Sequence, residues 1–209
     1  MNQEISFADI FSRNYVTLIS GLEDYRSPYA KTVGDPSEII ESLIQSAALK
    51  SAAVSATLSL PPGPFGWLTV IPELFFIYRI QGHLIKDVAT LYGRDAKLTK
   101  ELMLYCMFKH GGSHLFRRVV EEASARVIIR PSTIGFFEMI LTKIGIRVSK
   151  KFIQGGLIRW IPLIGAALTG SFAYLDTRNV GKTANEMLAK EIIVIPAKEI
   201  QELEMNATS

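Results

Sequence analysis

The chain has 209 residues, a net charge of +3 and a pI near 8.9, and that charge is too small to point to nucleic acid. One cysteine, Cys106, forms no internal disulfide, so the fold needs no oxidising compartment. Apolar residues at 48% and a mean hydropathy of +0.23 exclude a disordered, highly charged chain and favour a helical protein with apolar segments.

The opening "MNQEISFADIFSRNY" carries Glu4 and Asp9 and lacks a basic start before an apolar block. A signal peptide is not expected, and a cytoplasmic location follows as the default. Residues 4–20 hold a short amphipathic piece. Asp35 and Pro36 form a start signal, N-cap then first helical residue. Ile39, Ile40, Leu43, Ile44, Ala47 and Ala48 then recur at helical spacing, and this helix should run to about Leu58. "LPPGPFGWLTVIPELFF" ends it, and Pro72 opens the next, which reaches about Tyr92 with Gly93 as its C′ residue. Asp95 caps a third helix, broken at His110, Gly111 and Gly112. Leu115 to Ile129 reads as a fourth, and Ser132 caps a fifth through Phe136, Phe137, Ile140, Leu141, Ile144 and Val148. Pro162 to about Leu188 is helical, and Ile192 to Ile195 form a short strand-like connector. The class expected is all-α, with residues 1–195 as a single helical domain of long apolar, Gly/Pro-punctuated central helices. Residues 196–209 form an acidic helix or tail.

Two segments approach the length of a membrane span. Ser51 to Pro72 carries no charge, but Pro61, Pro62 and Pro64 would break a helix there and leave carbonyls unpaired in lipid. The small residues of "SAAVSATLSL" suit tight helix packing instead. Trp160 to Leu175 is only about 16 residues, short of the roughly 20 a span requires. Lipid insertion of these segments and burial in a core both stay open.

Signals for chemistry are sparse. His110 and His114 are separated by Gly111, Gly112 and Ser113, with no acidic ligand near, so no metal site is expected. Cys106 lies in "MLYCMF", the setting of an inert thiol. "IQGGLIR" and "KHGGSH" lack the residues of a phosphate loop, and no nucleophile elbow appears. No cofactor is expected. Polar groups on apolar helices stand out more. Glu73 sits in the first turn of its helix, where the helix dipole favours a carboxylate. Arg79, His83 and Asp87 follow at i, i+4 and i+8, either a solvated face or a partly buried charge network. Lys143, Arg147, Lys150 and Lys151 flank Ile140, Ile144 and Val148. That arrangement is a solvated helix side or an interfacial membrane face.

Two segments resemble the EcsC protein family of bacteria when taken together. "GPFGWLTVIPELFFIYRIQGHLIKDVATLYGRD" (63–95) is similar to its central signature, and "IPLIGAALTGSFAYLDTRNVG" (161–181) to its second. Order and separation match, over about a quarter of the chain. The second block is also similar to a domain fused to some membrane-associated GTPases. The family is named for a protein encoded beside an ABC transporter. The resemblance implies a bacterial, largely helical protein working at the cytoplasmic face of a membrane. By position, the matching polar residues are Glu73, Arg79, Gln81, Asp176, Thr177 and Arg178, and the family supplies no catalytic role for them. Glu73 stands where aspartate is the more frequent residue.

Two functional expectations follow. The first is a non-enzymatic accessory protein, peripheral at the inner face of a bacterial membrane and linked to transport or secretion. Its partners are the membrane surface or a membrane protein complex, with Phe65, Trp67, Lys143, Arg147, Lys150 and Lys151 as contacts. The second is a soluble helical enzyme or small-ligand binder with a polar site of Glu73, Arg79, His83, Asp176 and Arg178. Nucleic acid is not an expected partner.

Overall fold

In the computed structural model, residues 17, 21–22, 24–59, 70–155 and 162–196 are described, with only the backbone for 111–113, 147–155 and 162–166. Helix α1 spans Ser37–Leu58, so Pro36 rather than Asp35 stands at the N-cap and the helix starts one residue later than expected. Asp35 Oδ1 accepts hydrogen bonds from the Ser37 amide at 3.0 Å and the Ser37 hydroxyl at 2.6 Å, which orders the chain into the first turn. Helix α2 is described over Val70–Leu91, includes Pro72 and has Glu73 in its first turn. It ends in a Schellman motif. Arg94 N donates to Ala89 O at 2.7 Å and Gly93 N to Thr90 O at 2.8 Å, with Gly93 at φ 66°, where a side chain is disfavoured.

A short 3-10 turn, Asp95–Lys97, separates α2 from helix α3, Lys100–Gly112. Asp95 therefore opens the turn and Thr99 caps the helix, accepting from Leu102 N at 3.3 Å. Six consecutive residues of α3, Leu102 to Met107, are buried, so this helix is enclosed on all sides. Helix α4, Ile134–Gly155, buries Phe137, Ile140, Leu141 and Ile144. Its start is capped by Thr133, whose hydroxyl accepts from Phe136 N at 3.3 Å, while Ser132 is held by Glu101. Helix α5 is described over Pro162–Ala189.

The expectation of an all-α chain needs one correction. The chain is mainly helical, but residues 115–129 are not a helix. After a 3-10 turn at Ser113–Phe116, they form strands β1, Val120–Glu122, and β2, Arg126–Ile129. The strands pair antiparallel, with Val120 opposite Ile129. Strand β3, Glu191–Val194, adds parallel to β2, with Val127 opposite Ile192. Branched residues on this short sheet put Val120, Val127, Ile129 and Ile192 into the core. The sheet edge is pinned by charge. Glu122 takes ion pairs from Lys190 at 2.7 Å and Lys109 at 3.0 Å, and Tyr105 Oη donates to it at 3.2 Å. Burial acts to raise the Glu122 carboxyl, but the two lysines outweigh it and hold the group below its ordinary value.

Helices α1, α2 and α5 form the main bundle, and α3 packs under it. The approach of α5 is set by glycines. A Cβ at Gly170 would lie 3.1 Å from the Ala52 carbonyl oxygen and 3.4 Å from Ala56 Cβ. One at Gly181 would lie 2.5 Å from Ile44 Cγ1 and 3.0 Å from Leu84 Cδ2. Among the described residues, no helix is long and apolar enough to cross a membrane.

Replacing Gly181 by valine should destabilise the fold by about 1–3 kcal/mol, because Ile44 has no space to yield; urea titration monitored by circular dichroism checks this. The Glu122 cluster predicts an acid limb. A carboxyl whose folded value is depressed stabilises fully above its unfolded value, near 4.5, and loses that contribution as pH falls through the folded value. Glu122→Gln should flatten the fall in thermal midpoint below pH 5 relative to the parent chain.

Candidate functional site

Serines at 51 and 55 of α1 and 59 at its C-cap recur every four residues, so they fall on one face, and all three are buried. A buried hydroxyl needs a partner, and α2 and α5 supply several. Ser55 Oγ donates to Glu73 Oε1 at 2.6 Å, and Thr169 Oγ1 donates to Ser59 Oγ at 2.9 Å. Glu73 is 3% exposed, so the carboxylate in the first turn of α2 lies inside the bundle. Two turns deeper, Gln81 Nε2 donates to Asp176 Oδ2 at 2.8 Å and Thr177 Oγ1 at 3.2 Å. The Tyr78 phenol lies close enough to feel Asp176. Burial first, then that carboxylate, push its pKa above the ordinary value. Ser51 Oγ and Gln81 Oε1 are buried without a hydrogen-bond partner.

Arg79, His83 and Asp87 occupy a different face of α2. Their exposure is graded, from exposed Arg79 through half-buried His83 to Asp87 at 9%. The segment around Tyr25 lies over them. Its ring stacks on His83 with centroids 3.9 Å apart, and its hydroxyl donates to Asp87 Oδ1 at 3.0 Å. The stripe is therefore a partly buried network rather than a solvated face. Arg178 turns elsewhere again. Its Nη2 lies 3.6 Å from Glu41 of α1, and its Nε is buried without a hydrogen-bond partner.

The five residues of the expected polar site thus occupy separate places. Glu73 belongs to the α1–α2 contact, Asp176 to the α2–α5 contact through Gln81, and Arg178 to the α1–α5 contact. Arg79 and His83 lie beside the Tyr25 segment. An open groove of about 610 Å³ between α1 and α5 is lined by none of them. Its walls are small and apolar, with Ala52, Ala53 and Ala56 facing Ala167, Gly170 and Tyr174. Among the described residues, no group of three or more His, Cys, Asp or Glu side chains is placed to hold a metal ion. His110 instead meets the Thr183 hydroxyl at 2.9 Å. Cys106 is fully buried, and burial pushes its thiol up to about 12, where it is not a nucleophile.

Of the expected membrane contacts, Phe65 and Trp67 lie outside the described residues. Lys143 is exposed on α4, and Arg147, Lys150 and Lys151 follow on the same helix. Other apolar side chains are exposed that were not singled out from the sequence. On α5, Leu168, Phe172 and Leu175 are 39%, 65% and 53% exposed, and on α2 Phe76 is 47% exposed. Ser55, Thr169, Leu22, Tyr25 and Lys86 were also not foreseen. The four-residue serine period was the one available signal for the first of these. Nothing local marks Leu22 or Tyr25.

No protein-family model, no curated protein and no solved structure matches the chain.

Glu73→Ala should cost about 1–3 kcal/mol by leaving the Ser55 hydroxyl buried without its acceptor, and Glu73→Gln should cost distinctly less. Chemical denaturation of the two variants checks this. Equal losses would show that the carboxylate charge, rather than its acceptor oxygen, is what the bundle requires.

Proposed function

We propose that the protein is a non-enzymatic accessory factor that binds the inner surface of a bacterial membrane through one end of its helical bundle. The observation that carries this reading is the run of exposed apolar side chains on α5. Leu168, Phe172 and Leu175 recur at i, i+4 and i+7 and form one stripe. The contact of Thr169 with Ser59 places the start of this stripe at the end of α1, and the pairing of Ser55 with Glu73 brings the start of α2 to the same end. The chain between these helices, residues 60–69 and 156–161, is rich in Pro, Gly, Trp and Leu by sequence. Helix α4, carrying Lys143, Arg147, Lys150 and Lys151, runs into the second of these segments.

Apolar side chains entering the headgroup boundary, with basic residues beside them, is the chemistry of interfacial binding. Each basic residue near an anionic surface adds about 1 kcal/mol. The similarity of residues 63–95 and 161–181 to the EcsC family supports the same reading and suggests a link to transport or secretion. The buried polar contacts join helices to one another, which supports a structural role for these side chains.

Flotation with vesicles containing anionic lipid tests the proposal. The protein should float at low salt and less at high salt. Removing Phe172 and Leu175 together as serines should weaken binding about tenfold or more, given roughly 1.5–3 kcal/mol per large side chain. A protein that stays wholly in the soluble fraction at low salt would refute it.

A further inference from the structure

We propose that Leu22 and Tyr25 form a proton-sensitive strap across α2, with His83 as its trigger. Several contacts among the described residues hold it. Leu22 is 2% exposed and sits over Gly82, where an added Cβ would collide with the leucine side chain. The Lys86 ammonium donates to the Leu22 carbonyl at 2.5 Å and the Tyr25 carbonyl at 2.8 Å. Tyr25 stacks on the His83 imidazole, with ring planes 10° apart. Its hydroxyl donates to Asp87 at 3.0 Å. The next anchors along the chain are Thr32 N on the Leu91 carbonyl at 3.0 Å and the Lys31 stem against Gly93. Release of Leu22 and Tyr25 leaves these later anchors, and with them α1 and α2, in place.

The charges around His83 set the direction of the response. From its own helix it faces Arg79, Lys86 and Asp87, and from the strap it faces Tyr25. Burial under the strap comes first, and Arg79 second, in holding the imidazole below its ordinary pKa; Lys86 adds to this and Asp87 opposes it. A histidine whose bound-state value is depressed supports the strap fully above its unstrapped value, near 6.5. That support is lost progressively as pH falls through this value. Releasing the strap returns the ring to water and lets it take the proton, so acid favours release. Burial and Asp87 push the Tyr25 phenol up to about 12, so it remains the donor to Asp87 throughout this range.

The test is hydrogen–deuterium exchange of the full chain, read as protection factors for residues 22–25 so that intrinsic pH dependence is removed. Between pH 7.5 and 5.5 protection should fall several-fold, while α3 stays protected. His83→Phe keeps a stacking ring without a titrating proton and should hold protection constant. An equal fall in this variant, or no fall in the parent chain, overturns the proposal. A second readout guards against a variant that fails to fold. In the parent chain, an NMR titration should place His83 below the ordinary histidine value, and Tyr25→Ala should return it towards that value. A His83 titration unchanged by Tyr25→Ala also overturns it.

Discussion

The close approach of α1 and α5 is the contact on which most of the remaining structure depends. A Cβ at Gly170 would stand 3.1 Å from a backbone carbonyl, and a carbonyl in a helix cannot swing away as a side chain can. Alanines on α1 and glycines on α5 therefore bring the two backbones together. Side chains that small cannot fill the outer edge of the contact, which leaves the groove lined by Ala53, Ala56 and Tyr174. They also let short hydroxyls reach across. Thr169 meets Ser59 only because neither helix carries bulk between them.

Burial then dictates what the polar groups must do. A buried hydroxyl or carboxylate costs free energy unless it is hydrogen-bonded, so each one in the bundle core fixes its helix against a neighbour. Ser55 with Glu73 sets α1 against α2, and Gln81 with Asp176 and Thr177 sets α2 against α5. Glu73, Gln81, Asp176 and Thr177 are in this way interhelical fasteners. That accounts for polar residues on apolar helices without invoking a reaction.

Much of the helical framework was legible in the sequence, because its punctuation is strong. Pro36, Gly93 and Pro162 mark ends by removing a backbone donor or by accepting a left-handed conformation, effects that need no tertiary partner. The hairpin at 120–129 was not legible. Its apolar runs are two or three residues long, too short to tell a 3.6-residue period from alternation. Its outer partner, β3, also lies far along the chain, although the strand-like character of 192–195 was visible in its branched residues. The interhelical polar pairs were not legible as pairs. Glu73 stands out as a charge on an apolar helix, yet its pairing with Ser55, like that of Gln81 with Asp176 and Thr177, depends on which helix faces which. The strap could not be read at all, since Leu22 and Tyr25 have meaning only once α2 lies beneath them.

The proposed membrane role concentrates function at one end of the bundle, away from the sheet, and this has a direct consequence for labelling. Cys106 is fully buried, with its thiol pushed up to about 12, so a single introduced surface cysteine can be modified selectively. The decisive measurement is spin-label accessibility at Phe172→Cys and, separately, at Glu121→Cys on the sheet, with and without anionic vesicles. The account predicts that vesicles protect the label at 172 from a water-soluble relaxation agent and raise its contact with oxygen, while the label at 121 is unchanged. A label at 172 that stays fully accessible to the water-soluble agent when vesicles are present would contradict it.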